Sequence, residues 1–282
     1  MEQISQAIKN MTNTKESELN LMTCRKCGEK LVMEVNILGE KKIVPISCKC
    51  QQSEYKKRKE DEAKKEMQKK LDKLRKYSLM NSKFFDCTFE TYDIDKQNSN
   101  LYKIALNYCK QWPDMKKEGI GLMFWGTPGT GKSHTSFCIA NELMKNLTPV
   151  IAISSIGLIG KIYDSYRKYG TEGEYEIINT FNNADLLIID DLGSEHESHG
   201  GKEKQILYSV IDTRIRNGKP MIVTTNLTLL QLKDKLTYDD GVPRTYDRLI
   251  EMCTPIQIEG PSRRVISARK KQKEVLERLL KD

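Results

Sequence analysis

The chain has 282 residues, of which 38% are hydrophobic and 30% are charged, and its formal net charge is +8. This composition excludes a wholly disordered or collagen-like protein, and it allows one domain of ordinary size plus a smaller one. No apolar run approaches the roughly 18 residues that a bilayer crossing needs, and no apolar segment follows a basic start, so we expect a soluble, cytoplasmic protein.

Positive charge is concentrated in two segments of the chain. Residues 54–76 and residues 263–282 each carry a net charge of +5, so the remainder sums to −2. Such segments suit contact with a polyanion, but they equally suit ordinary solvated helices. Charge alone therefore leaves nucleic-acid binding open.

Four of the eight cysteines lie close together near the start of the chain, as Cys24-x-x-Cys27 and Cys48-x-Cys50. Alternating apolar residues between the pairs, interrupted at Gly39, predict a β-hairpin that brings the pairs together. Disulfides are not expected in a reducing compartment. The pattern therefore favours a closed four-cysteine Zn²⁺ site with a structural role over scattered reduced cysteines.

Residues 53–76 contain no proline or glycine and show one narrow apolar stripe, which predicts a charged linker helix. From residue 84 onward, short apolar runs alternate with amphipathic stretches of helical length. The apolar runs are residues 120–125, 150–153, 186–189, 221–225 and 256–258. Strands that are apolar throughout and separated by helices predict a three-layer α/β domain with a parallel five-stranded sheet.

The strongest motif is a complete phosphate-binding loop of the form G-x-x-x-x-G-K-[ST]. It reads Gly126-Thr127-Pro128-Gly129-Thr130-Gly131-Lys132-Ser133, followed by His134. Its glycines let backbone N–H groups surround a phosphate at the start of a helix. We expect Lys132 to reach the β- and γ-phosphates and Ser133 to hold Mg²⁺, and we count all nine residues as candidate nucleotide-binding residues.

A second motif follows about fifty residues later, where an apolar strand ends in Asp190 and Asp191. One carboxylate at such a strand end can hold a metal ion, and its neighbour can orient or deprotonate a water molecule. We assign Asp190 to Mg²⁺ and Asp191 to the water.

The next predicted strand, residues 221–225, is followed by Asn226. If this strand lies between the two motif strands, the amide comes beside the γ-phosphate and can help to position the water. The alternative is that Asn226 only caps the following helix, in the region of Thr228. We favour the first interpretation.

Residues 84–266 resemble the AAA+ ATPases of the bacterial replicative-helicase loader group, the DnaC/DnaI type, to which transposon-associated IstB ATPases are also similar. The matching segments are residues 124–133, 187–193, 223–226, 244–249 and 260–264. The resemblance implies that Asn226 is sensor I, that Arg244 is an arginine finger acting in a neighbouring subunit, with Arg248 the weaker candidate, and that Arg264 is sensor II. The usual AAA+ glutamate is Asp191 here, and its shorter reach suggests slow hydrolysis.

The resulting domain prediction has four parts. A zinc-binding adaptor occupies residues 1–52, a helical linker 53–83, the AAA+ domain 84–266 and a basic C-terminal helix 267–282. Only about twenty residues follow the last predicted strand, so we expect no separate lid. The tail should be one helix with Val275, Leu276, Leu279 and Leu280 on its apolar side.

The resemblance implies an ATP-dependent loader with ATP, Mg²⁺ and Zn²⁺ as cofactors. It would bind the hexameric replicative helicase and single-stranded DNA, and it would oligomerise with nucleotide. Candidate DNA contacts are Lys161, Tyr163, Arg167 and Lys168, which equally suit an exposed helix face. The alternatives are an IstB-like regulator of transposition target choice, which would bind double-stranded DNA, and a zinc-organised nucleic-acid-binding module that does not hydrolyse ATP.

Overall fold

The computed structural model describes residues 23–37, 39–78, 84–95, 97–167, 173–195 and 201–280. Contacts divide the chain into two compact units, Met1–Met67 and Gln68–Asp282. This division falls inside one helix, and the three boundaries between the four domains expected from the sequence remain predictions. Among the described helices, none has the length and apolar character needed to cross a bilayer.

The first unit contains a two-stranded hairpin and the start of a long helix. Strand β1 (Val32–Ile37) pairs antiparallel with β2 (Glu40–Pro45), and the turn between them places Gly39 at a φ of +85°. Helix α1 (Lys49–Arg75) starts four residues before the predicted limit. The structure therefore has both the predicted hairpin and the predicted helix, while the role of that helix as a linker stays a prediction. Only Val32 and Cys48 are buried among the described residues up to 67.

The second unit contains a five-stranded parallel sheet with the order β4-β5-β6-β3-β7. Its strands in chain order are β3 (Gly121–Trp125), β4 (Val150–Ser154), β5 (Leu186–Asp190), β6 (Met221–Thr225) and β7 (Cys253–Gln257). The predicted parallel five-stranded sheet is confirmed. Strand β7 begins three residues before its prediction because it is an edge strand whose first half, with exposed Thr254 and Pro255, lacks an apolar run.

Helices lie between and around these strands. They are α2 (Ser99–Lys110), α3 (Trp112–Glu118), α4 (Lys132–Lys145), α5 (Ser155–Arg167), α6 (Glu174–Asn183), α7 (Lys202–Arg216), α8 (Leu229–Leu236), α9 (Arg244–Met252) and α10 (Arg263–Leu279). Sequence analysis gave no prediction for α2, α3 or α6. Helix α2 buries Leu101, Ala105 and Tyr108, and α6 buries Ile177 and Phe181, so in both helices the apolar residues do recur at helical spacing.

The core consists of two apolar clusters, one on each face of the sheet. In β5, Leu187 and Ile189 belong to one cluster, whereas Leu186 and Ile188 belong to the other. This alternation follows from the two-residue period of a strand. Because helices cover both faces, the strands are apolar throughout, and the predicted three-layer arrangement is confirmed.

A fully buried arginine joins three elements at one end of the sheet. Arg214 of α7 is 0% exposed, and its guanidinium donates to the carbonyl oxygens of Phe181, Ala184, Asp185 and Pro220 at 2.7–3.2 Å. Removal from water lowers the pKa of Arg214 to about 9. These bonds connect the end of α6 and the segments leading into β5 and β6.

The chain after β7 forms α10 alone, up to residue 280. This agrees with the expectation of a single helix, but α10 begins at Arg263 and not at residue 267. The earlier start reflects an N-cap at Ser262, whose hydroxyl accepts the backbone N–H of Val265 at 3.4 Å. The four apolar residues expected along the helix are all exposed.

Candidate active site

The phosphate loop connects β3 to α4 through a tightly curved backbone. Gly126, Gly129 and Gly131 have φ values of +131°, +82° and +107°. A Cβ on Gly126 would lie 2.3 Å from the carbonyl oxygen of Ile258, and one on Gly129 would lie 2.2 Å from Oγ of Ser262. Only glycine fits these two positions, because both the backbone angle and the neighbouring atoms exclude a side chain.

Lys132 begins α4, and its side chain returns into the loop. The residue is 5% exposed, and Nζ donates to the carbonyl oxygens of Gly126 at 2.8 Å and Thr127 at 2.7 Å. Burial lowers the pKa of Lys132, while the negative charges of Asp191 and Asp190 act in the opposite direction. The ammonium is thus held beside the amides that would surround a phosphate.

The two acids at the end of β5 are held by Thr224 of β6. The Thr224 hydroxyl donates to Oδ1 of Asp190 at 2.6 Å and accepts the backbone N–H of Asp191 at 2.9 Å. Asp191 has a φ of +57°, and its carbonyl oxygen accepts bonds from the hydroxyls of Ser155 and Ser194. This left-handed conformation is uncommon for a residue other than glycine, so these bonds offset its cost.

Asn226 follows β6, which lies between β5 and β3 as the sequence interpretation required. Its Nδ2 donates to Oδ1 of Asp191 at 2.6 Å. Helix α8 is capped instead by Thr228, in a capping box with Gln231. Of the two roles considered for Asn226, the structure therefore has the amide on the acid pair and the cap on Thr228.

A cavity of about 710 Å³ joins these elements at the carboxyl ends of the strands. Predicted site residues that line it are Gly129, Gly131, Lys132, Ser133, His134, Asp190, Asp191, Asn226 and Arg264. Gly126, Thr127, Pro128 and Thr130 belong to the loop but are not among the lining residues. A cavity with a glycine-rich phosphate loop, a buried lysine and two acids fits a nucleoside triphosphate.

One wall of the cavity was not found by sequence analysis. It is formed by the segment before α2, with Thr91, Tyr92, Asp93 and Asn98, and by Arg263 of α10. Arg263 forms an ion pair with Asp95 and donates to the carbonyl oxygen of Asp93 at 3.3 Å. The available signal was the cluster of aspartates and asparagine before α2, which is typical of a helix start.

His134 and Tyr92 meet on this wall. Their ring centroids are 5.1 Å apart, and the Tyr92 hydroxyl is 2.8 Å from Oγ1 of Thr135. Burial, together with the positive charge of Arg263, lowers the pKa of His134. Both causes favour the neutral form of the imidazole.

The three arginines assigned from the resemblance have different surroundings. Arg244 lies outside the cavity lining; its Nη1 is 2.6 Å from Oδ2 of Asp240. Arg248 pairs with Asp212 and Glu251. Arg264 is exposed and lines the cavity.

Of the candidate DNA contacts, two have described side chains, and both are engaged within the protein. Lys161 donates to the carbonyl oxygen of Lys76 at 3.3 Å, and the Tyr163 hydroxyl donates to Oε1 of Glu203 at 2.7 Å. The Arg167 side chain and Lys168 lie outside the described residues. These contacts do not support a freely exposed basic face at Lys161 and Tyr163.

In the first unit, the sulfur atoms of Cys24, Cys27, Cys48 and Cys50 all lie within 4.8 Å of one another. Tetrahedral zinc with bonds of about 2.3 Å separates its sulfur ligands by roughly 3.8 Å, so the cluster fits one ion. Backbone N–H groups of Cys27 and Lys26 lower the pKa of Cys24 to about 7, whereas hydrogen bonding to Cys27 is the main cause that raises the pKa of Cys50 to about 12. A bound cation would favour the deprotonated form of all four cysteines, which is the form that binds metal.

Comparisons with known proteins agree with this geometry. The chain is 30% identical over 148 residues to the replicative helicase loader DnaC of Escherichia coli strain K12; the match spans 52% of this chain and 58% of that protein. The crystal structure of DnaI has a TM-score of 0.54 at 23% identity, covering 66% of this chain and 95% of that one. The crystal structure of the DnaC helicase loader has a TM-score of 0.53 at 22% identity, covering 64% and 100%.

These structural similarities establish the fold, and the expected resemblance is confirmed. The family model described as IstB-like ATP binding protein matches residues 51–273, most of the chain, including the whole cavity described above. The protein therefore belongs to the IstB-like ATP-binding family, with a P-loop fold of the DnaC type.

Proposed function

We propose that this protein is an ATP-dependent loader of a replicative DNA helicase. The observation that carries the proposal is the single cavity in which the phosphate loop, the acid pair and Asn226 meet, in a chain similar to the helicase loader DnaC. In this proposal the first unit binds the helicase, and the second binds ATP and single-stranded DNA. Hydrolysis to ADP and phosphate then releases the loader.

In the ATP site, the loop amides and Lys132 bind the β- and γ-phosphates. The Ser133 hydroxyl and the Asp190 carboxylate are hard oxygen donors of the kind that Mg²⁺ prefers, so the donor set fits that ion. Bound Mg²⁺ would neutralise negative charge that develops on the phosphates. The residues of the loop orient the nucleotide for in-line attack.

Asp191 and Asn226 act on the attacking water. The bond from Asn226 to Oδ1 of Asp191 orients this carboxylate, which accepts a hydrogen bond from the water as its oxygen attacks the γ-phosphorus. The bond from that phosphorus to the oxygen of the departing ADP breaks in the same displacement. An aspartate reaches less far than a glutamate, and hydrolysis is therefore slow.

Arg244 is the preferred arginine finger, acting in the site of a neighbouring subunit. Its pair with Asp240 has both side chains about half exposed, so a nucleotide of another subunit can replace the carboxylate at low cost. Arg248, by contrast, shares the largely buried Asp212 with Arg216. Arg264 lines the cavity of its own subunit, and in this proposal it contacts the phosphates of the nucleotide bound there.

The four cysteines of the first unit hold one structural Zn²⁺ in this proposal, which orders the surface that binds the helicase.

A direct test of helicase binding uses the full chain and the replicative helicase encoded by the same genome. Co-elution in size-exclusion chromatography is expected for the wild type and for Lys132→Ala, and it is expected to be lost in the double variant Cys24→Ser with Cys27→Ser. A wild type that does not associate with the helicase contradicts the loader assignment and leaves the ATPase proposal standing.

The DNA partner separates the loader from its rivals. ATP hydrolysis is measured alone, with single-stranded DNA and with double-stranded DNA, and Lys132→Ala serves as the inactive control. Stimulation by single strands supports the loader. Stimulation by duplex alone supports a regulator of transposition targets, and no hydrolysis with DNA and helicase present supports the non-hydrolysing module.

The finger is tested by mixing two inactive variants. Arg244→Ala subunits retain the phosphate loop, and Lys132→Ala subunits retain the finger, so mixed assemblies contain some complete sites. Partial recovery of hydrolysis is expected on mixing, since a finger in trans contributes about 10³-fold or more. Recovery with Arg248→Ala subunits but not with Arg244→Ala would reverse the assignment.

A further inference from the structure

Thr224 lies between the two acids of the site and bonds to both. It is 1% exposed, and it is among the residues that line the cavity. The parallel register pairs Ile189 of β5 with Val223 of β6, which brings the next residue of each strand, Asp190 and Thr224, side by side. The motifs of the phosphate loop, the acid pair and Asn226 give this residue no role.

The direction of its two bonds is fixed by chemistry. A carboxylate can only accept, so the single hydroxyl proton of Thr224 must point at Oδ1 of Asp190, 2.6 Å away. The oxygen of the same hydroxyl then accepts the backbone N–H of Asp191 at 2.9 Å. One hydroxyl thus orients the carboxylate of Asp190 and also fixes the backbone of Asp191, whose φ is +57°.

We propose that Thr224 is a positioning residue for the ATPase. Its hydroxyl engages Oδ1 of Asp190 and leaves Oδ2 for a magnesium ion, and it holds Asp191 in the conformation in which its carboxylate meets Asn226. Loss of the hydroxyl would remove one bond to each acid at once, and Asp191 would keep only its bonds from Asn226, Ser155 and Ser194. This inference rests on the proposed ATPase function and adds a residue on which metal use depends.

The next residue provides a matched control. Thr225 is also buried, at 0% exposed, and its hydroxyl also makes two bonds, to the carbonyl oxygen of Leu192 at 2.7 Å and from the backbone N–H of Leu227 at 3.2 Å. Neither bond reaches a carboxylate. Replacing either threonine by valine exchanges a buried hydroxyl for a methyl group of similar shape. Only Thr224→Val removes hydrogen bonds to Asp190 and Asp191.

The experiment compares the full-length wild type with Thr224→Val, Thr224→Ser and Thr225→Val. Binding of a fluorescent ATP analogue is titrated with Mg²⁺ and with EDTA, and hydrolysis is measured at varied Mg²⁺ in the presence of single-stranded DNA. For Thr224→Val, we expect the affinity for the ATP analogue in EDTA to change by less than about twofold. The increase in that affinity on adding Mg²⁺ should fall about tenfold, and kcat should fall about tenfold or more. Thr224→Ser keeps the hydroxyl and should stay within about threefold of the wild type.

Thermal unfolding of all four proteins separates positioning from stability. Thr224→Val and Thr225→Val should lower the melting temperature by similar amounts, while only Thr224→Val changes the Mg²⁺ requirement. Equal Mg²⁺ dependence in the two valine variants, or failure of Thr224→Ser to restore it, would overturn the inference. A wild type that does not bind the nucleotide contradicts the proposed function itself, which distinguishes that failure from this one.

Discussion

The two units of the chain reach order by different means. Of the residues that the structure describes up to 67, only Val32 and Cys48 are buried, whereas the unit from residue 68 buries both faces of a five-stranded sheet. Fixing each residue in one conformation costs about 1–2 kcal/mol, and the first unit has little apolar surface to offset that cost. The first unit therefore needs a source of stability other than apolar burial, which a metal ion on its four cysteines would supply, while the second is stabilised by its core.

Removal of zinc should produce the largest difference between the units. Structural zinc contributes about 10–16 kcal/mol in small domains, so a strong chelator should unfold the hairpin region and leave the ATPase unit folded. Hydrogen exchange should show loss of protection in β1 and β2 alone. Replacement of zinc by Co²⁺ should give thiolate-to-cobalt absorbance in the wild type and lose it in Cys48→Ser. Unchanged protection after the metal is removed would contradict the comparison.

A substitution at Arg214 should be the next largest effect, and it should act on the second unit. Arg214→Met leaves the carbonyl oxygens that the guanidinium satisfied without their donor, at a cost of about 3–5 kcal/mol. Arg216→Met, on the same helix but exposed, should cost less than about 1 kcal/mol. Both tryptophans of the chain, Trp112 and Trp125, lie in this unit, so urea unfolding followed by tryptophan fluorescence measures it selectively. Equal costs for the two variants would argue against a structural role of the buried guanidinium.

The same substitution, methionine to alanine, made once in each unit tests this difference in burial. Met123 of β3 is 0% exposed, and Met123→Ala should cost about 2–5 kcal/mol in the urea experiment. Met33 of β1 is 48% exposed, and Met33→Ala should change the stability of the first unit by less than about 0.5 kcal/mol, measured by hydrogen exchange with zinc present. A large effect at Met33 would mean that the hairpin depends on apolar contacts after all.

The parts of the fold that the sequence predicted are those with local signals. Each strand of the large sheet overlaps an apolar run, although the first half of β7 lacks one, and the phosphate loop is a contiguous motif whose glycines are required by the backbone itself. The two cysteine pairs also come together as their spacing around a hairpin suggested. In each of these cases, the chemistry lies within a short stretch of chain.

The parts that were missed depend on which elements become neighbours. The hydroxyl of Thr224 contacts the acids because of the register of β6 beside β5. The sequence Thr224-Thr225 alone does not show which of the two hydroxyls makes that contact. Arg214 and Arg216 look alike in sequence, but one is fully buried and the other is exposed. Asp93 lines the cavity, and its carbonyl oxygen accepts hydrogen bonds from nearby Asn98 and from Arg263, far along the chain.

The close approach of Ser262 to Gly129 in the phosphate loop has a practical consequence for shortening the chain. The carbonyl oxygen of Gly129 accepts the backbone N–H of Arg263 at 2.9 Å, and Ser262 occupies the space beside Gly129. A truncated protein that ends before Ser262 would keep every residue of the G-x-x-x-x-G-K-[ST] motif and still lose this support. Deletions from the C-terminus should therefore leave Ser262 and Arg263 in place if nucleotide affinity is to be preserved.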